Sequence, residues 1–253
     1  MTKKSFLIGI CLLALAFNAF SQETMMAKKD AMIIRDVTAE EVAKTALTIG
    51  AAMPSFNLKD AKGNSVSSAD LLKQGNLVVV FYRGAWCPFC NLYLRNLQKN
   101  LMQIKENGGN LVAISVENAD TSMSVAQKNN VEFTVLSDPH LELARQFGIV
   151  YQLSAETNEK YKGYGIDLVK QNGTEKPDLP LSATYIVNQK GEIVYSFLEP
   201  DYQKRAEPSV IIETLKKMKG DSMKMDKIDK MDKMDDKMDK KKDDKIDKMK
   251  KPN

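Results

Sequence analysis

The chain is poor in the residues on which most metal and nucleophile chemistry depends. Its 253 residues hold three cysteines, one histidine and one tryptophan. A lone His140 cannot complete a structural zinc site that starts from one Cys pair, and it argues against most Ser-His, Cys-His and His-metal arrangements. It reads as ordinary surface near a helix start. Three cysteines are too few for a disulfide scaffold. A basic excess is missing too. The formal net charge is +4, Lys3 and Lys4 carry two of those charges, and the tail from Asp221 holds 12 Lys against 10 Asp. The stretch between is near neutral, so it offers no clustered basic face and no electrostatic case for nucleic acid.

The longest apolar run is short. In MTKKSFLIGICLLALAFNAFSQ, Lys3 and Lys4 precede an apolar core from Phe6 to Phe17. Such a core falls within the 7–15 residues typical of signal peptides and short of the ~20 that a spanning helix needs. Ala19 and Ser21 are small residues before a cut at Gln22. Residues 1–21 are expected to be a secretory signal peptide, with an uncleaved anchor as the alternative. The expected location is the periplasm or cell envelope. Cys11 leaves with the signal; Ile10 stands before it where lipoprotein processing needs a small residue. The mature chain keeps Cys87 and Cys90, and an oxidising compartment lets such a pair cycle.

Residues 22–31 read as a linker, 32–219 as one α/β domain and 220–253 as a tail. Within the domain, TAEEVAKTALT predicts a helix, with Thr38 and Glu41 as a capping box. AAMPSFNLKDAKGNSVS predicts a hairpin broken by Pro54, Asp60 and Gly63, and SSADLLKQ a short helix. NLVVVFY (76–82) is a continuous β-branched and aromatic run, a buried central strand. NLYLRNLQKNLMQIKEN places Leu92, Leu97, Leu101 and Ile104 near helical spacing before Gly108 and Gly109.

NLVAISVE is a second buried strand. DTSMSVAQKNN predicts a helix with Asp120 as N-cap, VEFTVLSD a third strand, and HLELARQFG a helix stopped by Gly148. ATYIVNQKGEIVYSFLE is a hairpin around NQKG, and PSVIIETLKKMKG a final helix opened by Pro208. Strands alternating with helices imply a mainly parallel sheet covered on both faces, with a closing antiparallel hairpin.

The tail from Asp221 contains Lys, Asp, Met and Ile and no aromatic residue. Disorder or a solvated helix is the expectation. Met225, Ile228, Met231, Met234 and Met238 recur every three or four residues, so two alternatives stand: a weak contact with a partner or membrane surface, and copper(I) binding through thioethers.

The chemistry concentrates at FYRGAWCPFC (81–90). Cys87 and Cys90 follow a strand and open a helix. At a helix N-terminus, unpaired N–H groups and the dipole favour the thiolate, and pKa values there fall from about 8.5 to roughly 3.5–7.5. Two intervening residues put both sulfurs within disulfide reach. Arg83 lies four residues before Cys87, where it can stabilise an anion. Two other readings are open, an inert buried pair and half of a metal site.

At these residues the chain resembles the thioredoxin-fold superfamily. AAMPSFNLKDAKGNSVS is similar to the A-P-x-F-x-L-x-D-x-x-G opening of peroxiredoxins. FYRGAWCPFCNLYLRNLQ resembles the YRGxWCPxCN subgroup of the alkyl hydroperoxide reductase and thiol-specific antioxidant family. SDPHLELARQFGI and EPDYQKRAEP are similar to further segments of that family. The resemblance runs from about Met53 to Leu215. It implies a thioredoxin-like α/β fold and thiol-dependent reduction of hydroperoxides by a sulfenic acid and a Cys87–Cys90 disulfide. It also implies a thioredoxin-like reductant and no metal or organic cofactor. A homodimer is compatible with it.

Carried over residue by residue, the family's P-x-x-x-T-x-x-C places its attacking cysteine at Cys90. Cys87 then stands at the usual Thr and Arg83 at the usual Pro. This makes Cys90 peroxidatic and Cys87 resolving, the favoured order. The thioredoxin pattern W-C-x-x-C, here Trp86 to Cys90 across Pro88, gives the reverse order. Ser182, in LPLSATYIV, stands where thioredoxins have a cis-proline and peroxiredoxins an active-site arginine. Arg83 or Arg205 is the expected replacement, with a surface salt bridge as the plainer role for Arg205. An extracytoplasmic thiol–disulfide oxidoreductase and a non-enzymatic peroxide sensor are the two alternative functions.

Overall fold

A computed structural model of the chain describes residues 38–224. The expected signal peptide, the linker and the methionine stripe of the tail lie outside the described residues. Helix α1 (Ala39–Thr45) opens with the expected capping box, the Thr38 side chain accepting from Glu41 N–H and the Glu41 carboxylate accepting from Thr38 N–H. Strands β1 (Asn57–Asp60) and β2 (Ser65–Ser67) form the expected hairpin, and α2 (Ser68–Gln74) follows, capped by Ser67.

The central strand is β3 (Asn76–Phe81), and all of it except Asn76 is buried. Alternate side chains point to opposite faces of a strand. Leu77, Val79 and Phe81 therefore join one core, and Val78, Val80 and Tyr82 the other. Helix α3 (Pro88–Glu106) covers the second face with Cys90, Leu94, Leu97, Leu101 and Ile104. Leu92, expected on that stripe, is 61% exposed. It lies five residues before Leu97, about one and a half turns, and so faces away from the sheet.

Strand β4 (Gly109–Ser115) pairs parallel with β3, and β5 (Thr134–Ser137) pairs parallel with β4. Helix α4 (Ala119–Asn129) crosses between them. Its N-cap is Asn118, not the expected Asp120; the Asn118 side chain accepts from Thr121 N–H. The expected helix at 140–148 is split into a 3-10 turn (Pro139–Leu141) and α5 (Glu142–Gln146). His140 and Leu141 both take positive φ there. Asp138 holds the junction by accepting from the N–H groups of Leu143 and Ala144, each at 2.9 Å. His140 is exposed, as expected.

Residues 149–180 carry elements that the periodicity did not reveal: β6 (Val150–Gln152), α6 (Ala155–Gly163), α7 (Leu168–Asn172) and β7 (Asp178–Pro180). Strands β6 and β7 pair with each other outside the main sheet. The α6 helix has no buried residue to set up a periodic signal. The closing hairpin is β8 (Thr184–Val187) and β9 (Ile193–Phe197), and β8 lies antiparallel beside β3. The last helix, α8 (208–224), continues past the expected boundary at 219.

The main sheet runs β2-β1-β5-β4-β3-β8-β9. Its parallel centre has antiparallel hairpins at both edges, and the first of them joins the sheet through β1 and β5. This is the thioredoxin-like α/β architecture. It delivers the end of β3 and the start of α3, with both cysteines, to one end of the sheet.

Candidate active site

Cys87 is the N-cap of α3, Pro88 is its first residue and Cys90 lies inside the first turn. The helix thus begins three residues earlier than the apolar spacing implied. Pro88 suits the start because its missing N–H would be unpaired there anyway. Both cysteines are free thiols, 1% and 0% exposed.

The two sulfurs share their protons. The Cys90 S–H donates to the Cys87 sulfur, and this holds Cys87 down at about 6 despite its burial. The Cys90 N–H, Arg83 and Arg205 act in the same direction. Burial, then the hydrogen bond to Cys87, pushes Cys90 well above the ordinary thiol range. The two directions are opposite, downward at Cys87 and upward at Cys90, which favours Cys87 as the site of the pair's negative charge. The family motif favours Cys90 as the attacking sulfur and the thioredoxin pattern Cys87; the downward direction at Cys87 is an argument for the second. Counting residues against a family motif does not register which sulfur donates to the other.

Two guanidinium groups flank the sulfurs. Arg205, from the segment between β9 and α8, points inward and makes no ion pair among the described residues. Its Nη2 reaches Cys90 Sγ at 3.4 Å, and Nη1 donates to the Tyr202 and Lys204 carbonyls. The surface salt bridge is thus not its role. Among the described residues, Arg83 is buried without a carboxylate partner. Its Nη2 donates to the Tyr161 hydroxyl at 2.5 Å, and its guanidinium carbon lies 4.0 Å from the Tyr202 ring centroid and 4.9 Å from that of Trp86. Aromatic faces offer a cation partial compensation when no anion is close.

Tyr161 and Tyr202 were not singled out from the sequence. They come from segments 78 and 119 residues beyond Arg83, and no local pattern links them. Ser182 is buried, and its hydroxyl has no hydrogen-bond partner among the described residues, so it bonds neither sulfur.

The loop before Cys87 is pinned from below. The Ala85 N–H donates to Glu117 Oε2 at 2.8 Å, and the Ala85 carbonyl accepts from Asn91 Nδ2 at 2.7 Å. Asn91 accepts in turn from Asn129. Gly84 has φ +149°, and a Cβ there would lie 2.5 Å from Trp86 Nε1 and 3.0 Å from Glu117 Oε1. Gly84→Ala is expected to lose about 1–3 kcal/mol from strain and overpacking. A urea unfolding midpoint unchanged from wild type would contradict the close approach.

A groove of ≈ 430 Å³ opens beside Phe89 and Arg205, and neither cysteine lines it. Phe89, Leu92, Tyr93 and Phe197 give it an apolar wall, and Lys204, Arg205, Glu199 and Glu207 one of mixed charge.

Residues 49–196 match the model of the AhpC/TSA family, more than half the chain. The protein belongs to that family. Peroxiredoxin Bcp of Escherichia coli is 31% identical over 103 residues, 41% of this chain and 65% of the relative's length. A putative peroxiredoxin of Mycobacterium tuberculosis is 29% identical over 150 residues, 59% of this chain and 84% of its own. Among solved structures, peroxidoxin BcpB of Mycobacterium tuberculosis superposes with a TM-score of 0.54 at 19% identity, covering 67% of this chain and 96% of that one. A mutant of Xylella fastidiosa PrxQ gives 0.53 at 16%, covering 70% and 99%. These structures share the fold. AhpC/TSA membership agrees with the resemblance read from FYRGAWCPFC and its flanks.

Proposed function

We propose that this AhpC/TSA protein is a thiol-dependent peroxidase for hydrogen peroxide or organic hydroperoxides. The carrying observation is the thiol pair at the α3 N-terminus, with the Arg205 guanidinium 3.4 Å from one sulfur. The thiolate attacks one peroxide oxygen, the O–O bond breaks, and the sulfur becomes a sulfenic acid. The other oxygen leaves as water or alcohol after gaining a proton. The second sulfur then attacks the sulfenic sulfur, the S–S bond forms, and the hydroxyl departs as water. A dithiol donor of thioredoxin type returns the pair to its reduced form by thiol–disulfide exchange.

The family motif favours Cys90 for the first attack. The low pKa of Cys87 supports the reverse, since the thiolate is the nucleophile. We assign the first attack to Cys87 and the resolving step to Cys90.

Reduced protein mixed rapidly with hydrogen peroxide is expected to show a fast change in the fluorescence of Trp86, the single indole. A rate no faster than that of free cysteine would sink the reading. One observation favours a second function. A low-pKa first cysteine in Trp86-Cys87-Pro88-Phe89-Cys90 also suits a thiol–disulfide oxidoreductase. Efficient reduction of a test protein disulfide, with slow reaction towards peroxide, would select it.

A further inference from the structure

The turn that carries Cys87 is held from a second helix, and the steps above leave that hold unused. Gly84 to Cys87 form a tight turn, closed by the Cys87 N–H donating to the Gly84 carbonyl at 3.2 Å. Turn types differ chiefly in how their central peptide is rotated, here the one joining Ala85 to Trp86. Its carbonyl accepts from Asn91 Nδ2 at 2.7 Å. Asn91 Oδ1 accepts from Asn129 Nδ2 at 2.9 Å, across 38 residues of chain. That Nδ2 also donates to the Val125 carbonyl at 3.0 Å. Asn129 Oδ1 accepts from Arg95 Nη1 at 2.7 Å. Asn91 is 7% exposed and Asn129 3%, whereas Arg95 lies at the surface.

The sense of this chain of bonds is not free. An asparagine amide presents oxygen on one side and nitrogen on the other, and it can turn end for end. A guanidinium only donates. Arg95 therefore holds the Asn129 oxygen and leaves the Asn129 nitrogen for Asn91. Asn91 meets that nitrogen with its oxygen, so its own nitrogen faces the Ala85 carbonyl. Two buried amides meeting oxygen to oxygen would leave polar groups unpaired.

We propose that Asn129 is a positioning residue for the redox turn: through Asn91 it fixes the Ala85–Trp86 peptide, and Arg95 sets the sense of the relay. Cys90 is carried by α3 itself, so Cys87 is the sulfur whose place depends on the turn. A disulfide needs its sulfurs about 2.05 Å apart at a defined dihedral. A turn held in one state brings Cys87 close to that geometry before the bond forms, which favours closure. Asn129 acts only through Asn91 and the turn. The inference rests on Cys87 and Cys90 forming a disulfide, not on the peroxide step.

Asn129→Asp tests it in the full-length protein with little change of shape. The new carboxylate accepts from Arg95 as before, and it cannot donate to Asn91. Charge-assisted hydrogen bonds are roughly twice as strong as neutral ones. The carboxylate therefore draws Asn91 Nδ2 away and turns the Asn91 oxygen against the Ala85 carbonyl. The carbonyl carbon NMR resonance of Ala85 should then move upfield, to its position in Asn91→Leu. The dithiol–disulfide equilibrium against dithiothreitol should shift about tenfold toward the dithiol, the scale of one buried hydrogen bond left unmade. Adding Asn129→Asp to Asn91→Leu should change that equilibrium by less than about twofold, since the relay is already cut.

An unmoved Ala85 resonance in Asn129→Asp would overturn the proposal. So would a moved resonance with an unchanged equilibrium, the mark of a purely structural network. Additive shifts in the double variant would assign the effect to the field of the new charge and overturn it as well. Should Asn129→Asp fail to fold, the surface position decides. Arg95→Met frees the sense of Asn129 and should shift the equilibrium about threefold. Arg95→Lys, again a pure donor, should restore it, and equal values in wild type and both variants remove the proposal. Should wild type form no disulfide with diamide, the redox-pair reading fails alone. The pH midpoint of thiolate absorbance then replaces the equilibrium, and a midpoint that Asn129→Asp leaves unmoved removes the relay.

Discussion

Serine at position 87 is expected to slow sulfenic acid formation at pH 7 by roughly 100-fold or more, because a thiol with a pKa of 9 or above is about 1% ionised there or less. Cys87→Ser removes the sulfur that holds the pair's negative charge. It leaves Cys90, whose pKa is raised first by burial, a cause that the substitution does not touch. Cys90→Ser should behave differently. The serine hydroxyl still offers a hydrogen bond to the Cys87 thiolate, so peroxide attack persists and the reaction stops at the sulfenic acid. Trapping with dimedone reads both outcomes. Rapid trapping in Cys87→Ser with none in Cys90→Ser would restore the order that the family motif implies.

The same pair dictates a pH dependence. The folded pKa of Cys87, about 6, lies below the ordinary thiol value of 9.0. A depressed acid contributes stability that is fully present above the unfolded value and is lost as pH falls through the folded one. This stabilisation belongs to the dithiol form alone, since the disulfide has no proton to lose. Thermal unfolding should therefore show the reduced protein losing stability relative to the oxidised one between pH 9 and 6. The peroxide rate should fall with a midpoint near 6 over the lower part of that range.

Arg205→Met is expected to lower the peroxide step by about 10²–10³-fold, the scale of removing one preorganised donor from a developing oxyanion. Arg205 is the one cation within hydrogen-bond distance of Cys90 Sγ among the described residues, at 3.4 Å. Among the described residues its buried Nε has no partner, which leaves a donor for an incoming oxygen. Loss of its charge should also move the first ionisation of the pair upward from about 6, because Arg205 acts to lower both thiols. Thiolate absorbance near 240 nm follows that shift. Arg205→Lys should recover part of the shift and little of the rate, since an ammonium lacks the planar fork of donors. A rate within threefold of wild type in Arg205→Met would reduce Arg205 to a brace for the Tyr202 and Lys204 carbonyls.

Much of the fold was legible because its signals are local. The apolar run at 76–82 has to be buried on both faces, and Val78 and Val79 duly enter different cores. The capping box at Thr38 and Glu41, the AAMPSFNLKDAKGNSVS hairpin and the NQKG hairpin are chemistry between near neighbours. Where two local signals competed, the choice went astray. Asn118 and Asp120 are both good N-caps, and the helix starts after the first, whose side chain accepts from Thr121 N–H. The α6 helix left no trace because none of its residues is buried.

The site divides along the same line. Cys87, Cys90, Pro88 and Trp86 are legible as a strand–loop–helix motif, and Arg83 stands beside them in the chain. Tyr161, Tyr202 and Glu117 are not legible, because each reaches the loop from an element far away in sequence. Arg205 was a candidate by motif, but only its inward reach to Cys90 separates it from a surface arginine.

By itself the sequence determined that two thiols open a helix at the end of a buried strand, because hydrophobic periodicity and residue spacing are sufficient for that; the family came from the resemblance of its motifs. The tertiary structure alone decided how deeply the two sulfurs are buried, which guanidinium reaches Cys90 and which carboxyl holds the loop before them. Those depend on burial and on charges across space, and neither is a function of distance along the chain.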